Sequence, residues 1–275
     1  MKSRRLGTRT TTLWACLTAI ALACLPLHAA AVPPVQPDNA EPRQSRERGP
    51  KLLTEEDISL IKVFEVDLDT EKPPNIKIPR TVLREFLEKY KAENGVPRGK
   101  KEQADWLKLD GHEQLPLLFR VRAREYYKDV RISSQIESLR QWSSLHRRYV
   151  HGYFMRHFGE GQVDGFRLIP PGQESGRIEM TNFYILTQTK IDGRRMIDRD
   201  TPEDSLLLQW GLPKADAKFA APDSERWQPY FRGTDDDRYK DMLKWIELLI
   251  RANQDTTYDI KYELPGRRRG GEERN

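Results

Sequence analysis

The chain has 275 residues, with 47 lysines and arginines against 42 aspartates and glutamates, and a formal net charge of +5. Four of the basic residues and none of the acidic ones lie in the first 31 positions, so the net charge of the remainder is only +1. A charge this small provides no global field that attracts nucleic acid or an anionic membrane, and we expect neither as a partner.

Residues 1–31 have the pattern of a secretory signal peptide. A basic start is followed by the apolar stretch Leu13–Leu25, which has the length of a signal h-region and is too short to cross a membrane as a stable helix. Small residues just after it favour cleavage near Ala31. We therefore expect a periplasmic or secreted protein whose mature chain has no membrane span. The alternative is a lipoprotein anchored through Cys24, because the residues before it resemble a lipobox.

Both cysteines of the chain, Cys16 and Cys24, lie inside this leader. A mature chain without cysteine forms no disulfide, no zinc site built on thiolates and no thioether bonds to haem, and it has no cysteine nucleophile. Other motif-based chemistry is also missing, since no serine stands in a glycine-flanked elbow and no glycine-rich loop has phosphate-binding spacing. The sequence therefore does not favour catalysis as the function.

The sequence divides into two helical parts between two disordered ends. Residues 32–50 predict a disordered linker and residues 265–275 a disordered basic tail, because both are polar and offer little to bury. Residues 51–130 predict a small, mainly helical N-terminal module, and residues 131–264 a helical domain with a small β-hairpin insertion. The expected fold class is mainly α, with an α+β character that comes from the insertion.

In the N-terminal module, the first helix is expected to start after Thr54, a capping residue followed by acidic residues that suit a helix N-terminus. The alternating residues Lys62–Leu68 fit either a strand or a continuation of that helix. Residues Ile76–Ile78 predict a short extended piece. Three further helices are expected from their apolar periodicity, beginning at about Thr81, Lys101 and His112.

The second part is predicted to open with the longest helix, from Ser133 or the next residue to Phe158. Strands at Asn182–Thr189 and Arg194–Asp198 would flank the turn Asp192-Gly193, a typical hairpin dipeptide. The remaining predicted elements are a short helix at Ser205–Trp210, a helix at Arg238–Arg251 capped by the acidic run Asp235–Asp237, and a closing strand at Thr257–Leu264.

Three histidines, His146, His151 and His157, lie on the longest helix. At 100° per residue of an α-helix, His146 and His151 point about 140° apart, so they are not expected to share a metal ion. No pair among the three has the i, i+4 spacing of a helical zinc site, and no metal site is predicted. The charge-dense segment Lys190–Arg199 is interpreted as a solvated face.

A family resemblance is carried by the segments LTEEDISLIKVFEVDL, IPRTVLREFLEKY, RRYV, GFRL, TNFYIL, MIDRDTPEDSLLLQWGLP and YKDMLKWIELL. They resemble exported cytochrome c-like domain proteins of planctomycete-type bacteria. The resemblance covers roughly residues 53–251, and its most specific segments are Thr181–Leu186 and Met196–Pro213. It implies helices packed as in a cytochrome c, with a small β insertion and a lead-in module.

The same resemblance implies a loss of chemistry. In haem-bearing members, the helix that matches Ser134–Phe158 leads into a cysteine pair followed by a histidine, which attach the haem and bind its iron. This chain has no cysteine there, so it is expected to be a degenerate member without covalent haem. For non-covalent haem, the axial-ligand candidates are His157 or His151 on one side and Met180 or Met196 on the other.

Three functions are consistent with these features. The first is an exported, non-catalytic binding or structural module that holds no cofactor and contacts another protein of the cell envelope. The alternative is an electron-transfer protein that holds haem non-covalently through a histidine ligand. The third is an exported hydrolase, which rests only on export and on the abundance of acidic residues.

Overall fold

The computed structural model describes four ranges of the chain, 51–158, 167–223, 227–249 and 258–265. All four belong to one compact unit that takes in Arg48–Asn275. The predicted leader, linker and terminal tail beyond Pro265 lie outside the described residues. Within the described ranges, no helix combines the length and the apolar character that crossing a membrane requires.

The fold is mainly helical with two small antiparallel sheets of two strands each, which confirms the predicted class. The α-helices are α1 (Glu55–Phe64), α2 (Arg80–Lys89), α3 (Lys100–Trp106), α4 (Gly111–Arg120), α5 (Glu137–Leu145), α6 (Met155–Phe158), α7 (Ser175–Gln188), α8 (Leu206–Gln209) and α9 (Asp237–Leu248). A π-helical segment, His146–Phe154, joins α5 to α6. Short 3₁₀ helices lie at Arg124–Asp129 and Pro202–Asp204. The strands are β1 (Ile76–Lys77), paired with β2 (Arg131–Ile132), and β3 (Lys190–Ile191), paired with β4 (Arg194–Arg195).

Helix α1 begins with the cap that the sequence predicts. The Thr54 side chain accepts a hydrogen bond from the Asp57 backbone N–H, and the Asp57 carboxylate accepts one from the Thr54 N–H. The helix continues to Phe64, so the strand alternative for Lys62–Leu68 is wrong. Its apolar residues are arranged with helical periodicity, and the first part of the ambiguous segment follows that pattern.

We call the buried apolar residues between positions 63 and 136 the first core. It gathers the apolar faces of α2, α3 and α4 around Phe86, which is 0% exposed. The Phe86 ring centroid lies 5.3 Å from that of Tyr90 and 5.7 Å from that of Trp106. These helices are amphipathic and local in sequence, so the periodicity of the sequence predicts them well.

The β1–β2 ladder links the start of the first core to its end. Ile76 pairs with Ile132, and Lys77 pairs with Arg131. Gly111, at the start of α4, lies so close to this ladder that a Cβ there would be 2.3 Å from the Ile76 carbonyl oxygen. Only glycine fits at that position without a shift of the backbone.

We call the other group of buried apolar residues the second core. It packs α5, the π-helical segment, α7, α8 and α9 together with Leu53 and with Ile58 and Ile61 of α1. Every residue from Thr181 to Leu186 is buried, so α7 lies inside this core rather than on its surface. The predicted strand at Asn182–Thr189 is therefore wrong, because a run that is buried all round gives no helical periodicity to detect.

The predicted turn at Asp192-Gly193 is present, with φ of +50° and +79° at its two residues. It joins strands of only two residues each, because α7 takes up most of the chain predicted to be the first strand. The closing strand predicted at Thr257–Leu264 is also wrong, since residues 258–264 pair with no strand in the described part of the chain.

Candidate functional site

The longest helix changes its winding where the histidines lie. Residues His146–Phe154 form a π-helix, in which backbone hydrogen bonds join residues five apart instead of four. Residues five apart therefore lie above one another, and the ring centroids of His146 and His151 are 4.1 Å apart. The expected angle of 140° between these two side chains is wrong, because it assumed α-helical winding. Such π segments often occur at functional sites.

His146 is held as a neutral, buried ring. It is 1% exposed, and its Nε2 lies 3.0 Å from the Asn182 amide nitrogen. The orientation of that amide is fixed by Ile169, whose N–H donates to Asn182 Oδ1 and whose carbonyl accepts from Asn182 Nδ2. Nδ2 is therefore a donor, so His146 Nε2 accepts and the ring proton lies on Nδ1. Burial, with a smaller contribution from His151, lowers the pKa of His146 to about 3.

The two histidines proposed as haem ligands have different neighbours. His151 is half-buried beside His146; its Nε2 is buried without a hydrogen-bond partner, and burial lowers the pKa of the ring. His157 packs its ring 4.5 Å from that of Tyr153. The rings of His151 and His157 therefore lie on successive turns of the helix and pack against different residues.

The two methionine candidates also differ in how deeply they are buried. Met180 is a partly buried residue of α7 at the edge of the second core. Met196 is 0% exposed, and its backbone N–H and carbonyl bind Thr189 and Leu207. A role for Met196 as a haem ligand would require its side chain to be withdrawn from the packed second core.

The interior between α5 and α9 is occupied by stacked tryptophans. The Trp142 and Trp245 rings lie 5.0 Å apart and nearly parallel, and neither residue is exposed. The Trp245 indole N–H donates to the Ser138 carbonyl at 2.9 Å, and the Trp142 indole N–H donates to the Glu179 carbonyl at 3.1 Å. Phe183 adds a third ring at 5.7 Å from Trp142. These contacts fix the long helix against α7 and α9 on its buried face.

A second polar centre joins residues that are far apart in the sequence. Glu65 Oε1 lies 2.7 Å from Arg199 Nη2 and accepts a hydrogen bond of 2.6 Å from the Tyr258 hydroxyl. Arg199 Nη2 also donates to that hydroxyl at 2.5 Å. Burial alone would lower the pKa of Arg199, but Tyr258 and Glu65 raise it above its usual range. Burial, and then Glu65, raise the pKa of Tyr258 well above its usual range. The three groups form a buried, hydrogen-bonded ion pair.

This ion pair borders a cleft of about 170 Å³ between the end of α1 and the start of α5. Two buried side-chain oxygens among its lining residues have no hydrogen-bond partner, Glu65 Oε2 and Ser138 Oγ. Buried polar atoms are nearly always bonded, so these two oxygens are exceptions in the interior next to the cleft. We call this cleft, with Glu65 and Ser138 among its lining residues, the acid–serine cleft.

Across the ranges that the structure describes, no three His, Cys, Asp or Glu residues are grouped so that they could hold a metal ion. The candidate site is the acid–serine cleft together with the ion pair that borders it.

The sequence does not predict this site. Arg199 belongs to the segment interpreted as a solvated face, which is wrong for this residue, because it is 7% exposed. Glu65 lies in the segment Lys62–Leu68, which fits two secondary structures, and the sequence predicts that Tyr258 lies in the closing strand. One signal was available, since Arg199 follows the apolar pair Met196-Ile197 in a part of the chain rich in buried residues.

The chain matches no known family model, no curated protein and no solved structure. The resemblance to exported cytochrome c-like domain proteins therefore stays a prediction, and the functional proposal rests on the geometry of this chain alone.

Proposed function

We propose that this chain is an exported, non-catalytic binding module of the cell envelope, built on a cytochrome c-like arrangement of helices and working without haem. The observation that carries the proposal is the stacked contact of Trp142 with Trp245, which seals the long helix against α9. A haem protein needs the corresponding face of its histidine-bearing helix to line a porphyrin pocket. Here that face is covered by fully buried rings.

The energetics of the second core support this proposal. Removing a buried tryptophan from a core costs about 3–5 kcal/mol, and a porphyrin in place of the stacked pair would displace both rings. The His146 ring is buried, and its Nε2 already accepts a hydrogen bond from the Asn182 amide. Opening the helix to admit haem would thus lose packing and a buried hydrogen bond together.

One observation favours the alternative of non-covalent haem. His151 Nε2 is buried and has no hydrogen-bond partner, which is a suitable state for a nitrogen that binds iron. In that alternative His151 would be a residue that holds the haem iron. Of the two methionine candidates Met180 would be the second, because Met196 is fully inside the second core.

The proposal is tested by an absorption spectrum of the protein from an exporting host that expresses the whole chain and is supplied with haem. We expect no Soret band and no α/β bands on reduction, from a folded protein whose first residue is Val32 after leader cleavage. A Soret band near one haem per chain, lost in His151→Ala and kept in His112→Ala, would replace this proposal with the haem alternative. A chain retained with its leader intact would contradict export.

A further inference from the structure

The last part of the chain that the structure describes is held to the rest by side chains. We call residues 258–264 the C-terminal strap. The strap forms no helix and pairs with no strand of the described ranges. Among the described residues, no backbone-to-backbone hydrogen bond joins it to another segment. A segment without such bonds can open locally at a lower free energy than unfolding of the whole domain requires.

The strap lies on the protein in the manner of a bound, extended peptide. Its burial alternates along the sequence: Asp259, Lys261 and Glu263 are exposed, while the residues between them face the second core. Tyr258 is the deepest of them and is 2% exposed. Extended peptides bind in this way, through alternate side chains, and one buried aromatic anchor commonly supplies most of the affinity.

Tyr258 occupies a slot with aromatic walls. Its ring centroid lies 5.6 Å from that of Phe64, 6.4 Å from that of Phe183 and 6.0 Å from that of Tyr184. These three rings belong to α1 and α7, so the walls of the slot do not depend on the strap itself. We call this space, with the ion pair of Glu65 and Arg199 at its floor, the tyrosine slot.

The floor of the tyrosine slot selects a phenol hydroxyl. Glu65 Oε1 accepts a hydrogen bond from the Tyr258 hydroxyl at 2.6 Å, and Arg199 Nη2 donates to the same oxygen at 2.5 Å. The two charges neutralise each other, so the floor suits a neutral group that donates and accepts at once, as a hydroxyl does. A site built to bind a hydroxyl strongly rejects the analogue that lacks it. The slot therefore favours tyrosine over phenylalanine.

The residue after the anchor meets a positive charge. The Asp259 carboxylate lies 3.1 Å from the Arg124 guanidinium, with 43% and 28% of the two side chains exposed. An exposed pair of this kind adds little affinity, but a basic residue in place of the aspartate would be repelled. The site thus favours an acidic residue directly after the tyrosine.

Two features lower the free energy that opening of the strap requires. The side chains of Glu65 and Arg199 are 0% and 8% exposed beneath Tyr258, and water solvates both charges once the strap leaves. The Asp259 backbone has a φ of +54° in the docked strap, a left-handed conformation that is strained in residues other than glycine. Hydration of the ion pair and relief of this strain both offset the contacts that are lost.

We propose that the C-terminal strap is an intramolecular ligand, which fills the tyrosine slot until an extended segment of a partner protein, with a tyrosine followed by an acidic residue, displaces it. The tethered strap competes at a high effective concentration, so the slot is closed to weak partners. The inference rests on the proposed binding function and names the site and the chemistry of the partner for it.

The test is a calorimetric titration of the whole chain with the free strap peptide, acetyl-YDIKYEL-amide. The wild type is compared with Tyr258→Phe and Tyr258→Ala, which progressively weaken the tethered ligand. We expect the affinity for the peptide to rise in that order, with Tyr258→Ala at least roughly tenfold tighter than the wild type. The matched control is Tyr126→Phe, at a buried tyrosine of the first core whose hydroxyl contacts Glu85, which should bind as the wild type does.

Altered peptides test the chemistry of the tyrosine slot. The peptide with Tyr258→Phe should bind at least roughly tenfold more weakly, because it leaves Glu65 and Arg199 without the hydroxyl. The peptide with Asp259→Lys should bind several-fold more weakly to the Tyr258→Phe chain. Adding Arg124→Glu to that chain should remove this loss, which would fix the register of the bound peptide.

The Tyr258→Phe chain keeps the ring in place and decides the outcome if Tyr258→Ala does not fold. No saturable binding to Tyr258→Phe at millimolar peptide, or equal affinity for the tyrosine and phenylalanine peptides, overturns the inference. A haem-free protein that does not bind the peptide leaves the proposed function standing and removes only this site. A Soret band in the same sample removes the proposed function, whatever the titration gives.

Discussion

The two cores of this molecule are held together in different ways. The first core is apolar, and the structure shows two buried polar side chains between positions 63 and 136. The Gln114 amide donates to the Trp106 carbonyl eight residues away, whereas Glu65 is bonded to Arg199 and Tyr258 from the later part of the chain. The second core contains buried histidine, asparagine, threonine and arginine, bonded across long stretches of sequence. Leu53 N–H donates to Thr181 Oγ1, 128 residues away, and Tyr258 donates to Glu65, 193 residues away.

The two kinds of packing differ in how well each can support a functional site. Apolar packing is non-directional and tolerates substitutions of similar volume, so the first core serves as a scaffold. Buried polar groups cost free energy unless each is bonded in one geometry. The second core therefore has a fixed register between distant segments, and the cleft with its two unbonded oxygens lies where those segments meet the first core.

The largest loss of stability is expected when the buried ion pair between Glu65 and Arg199 is broken. Arg199→Met leaves the Glu65 carboxylate buried without its partner and should lower the free energy of unfolding by about 3–5 kcal/mol. The matched control is Arg84→Met, at an exposed arginine on the outer face of α2, which should change the free energy of unfolding by less than about 0.5 kcal/mol. Denaturant unfolding measures both. Similar small losses for the two variants would mean that the ion pair does not organise the second core.

The buried histidine of the second core should make the free energy of unfolding depend on pH. The pKa of His146 is lowered from 6.5 to about 3, so between these pH values the unfolded chain binds a proton that the folded chain does not. Stability should therefore fall as the pH falls through this window, by about 1.4 kcal/mol per pH unit at most from this residue. His146→Gln should reduce that slope, and His112→Gln, on α4, should keep it. An unchanged slope in His146→Gln would show that the ring is not buried as a neutral group.

A smaller effect is expected at the cap of α1, the helix that contributes to both cores. Thr54→Ala removes the side chain that accepts from Asp57 N–H and should cost about 1 kcal/mol. The loss should be seen as a lower midpoint of thermal unfolding. Ser59→Ala, in the middle of the same helix, is the control and should cost less, because helix interiors favour alanine. A larger loss in Ser59→Ala than in Thr54→Ala would contradict the capping role.

The contrast between the cores also explains which elements the sequence predicts. The amphipathic helices α2, α4 and α9 follow from apolar periodicity, and the caps at Thr54 and in the run Asp235–Asp237 follow from residue chemistry. The cap of α9 is Asp236, whose side chain accepts from the Arg238 N–H. These features are local, so neighbouring residues are enough to specify them.

The features that the sequence does not predict are those that depend on tertiary contacts. The segment Thr181–Leu186 of helix α7 is buried on all sides, so this part of the sequence shows no helical periodicity and predicts a strand. The π winding that brings His146 onto His151 has no local sequence signal. The partnership of Glu65, Arg199 and Tyr258 is decided by which groups are buried together, and charge alone does not reveal it.

Hydrogen exchange at the tryptophan indoles of the whole chain shows directly whether the long helix is sealed against α9. The sealed contact between the long helix and α9 predicts that the Trp142 and Trp245 indole N–H groups exchange only through global unfolding, because both are buried and bonded to backbone carbonyls. Trp227, which is half-buried, should exchange faster. Fast exchange at Trp142 and Trp245 while the first core stays protected would show that the long helix opens from α9, and the sealed, haem-free interior would be contradicted.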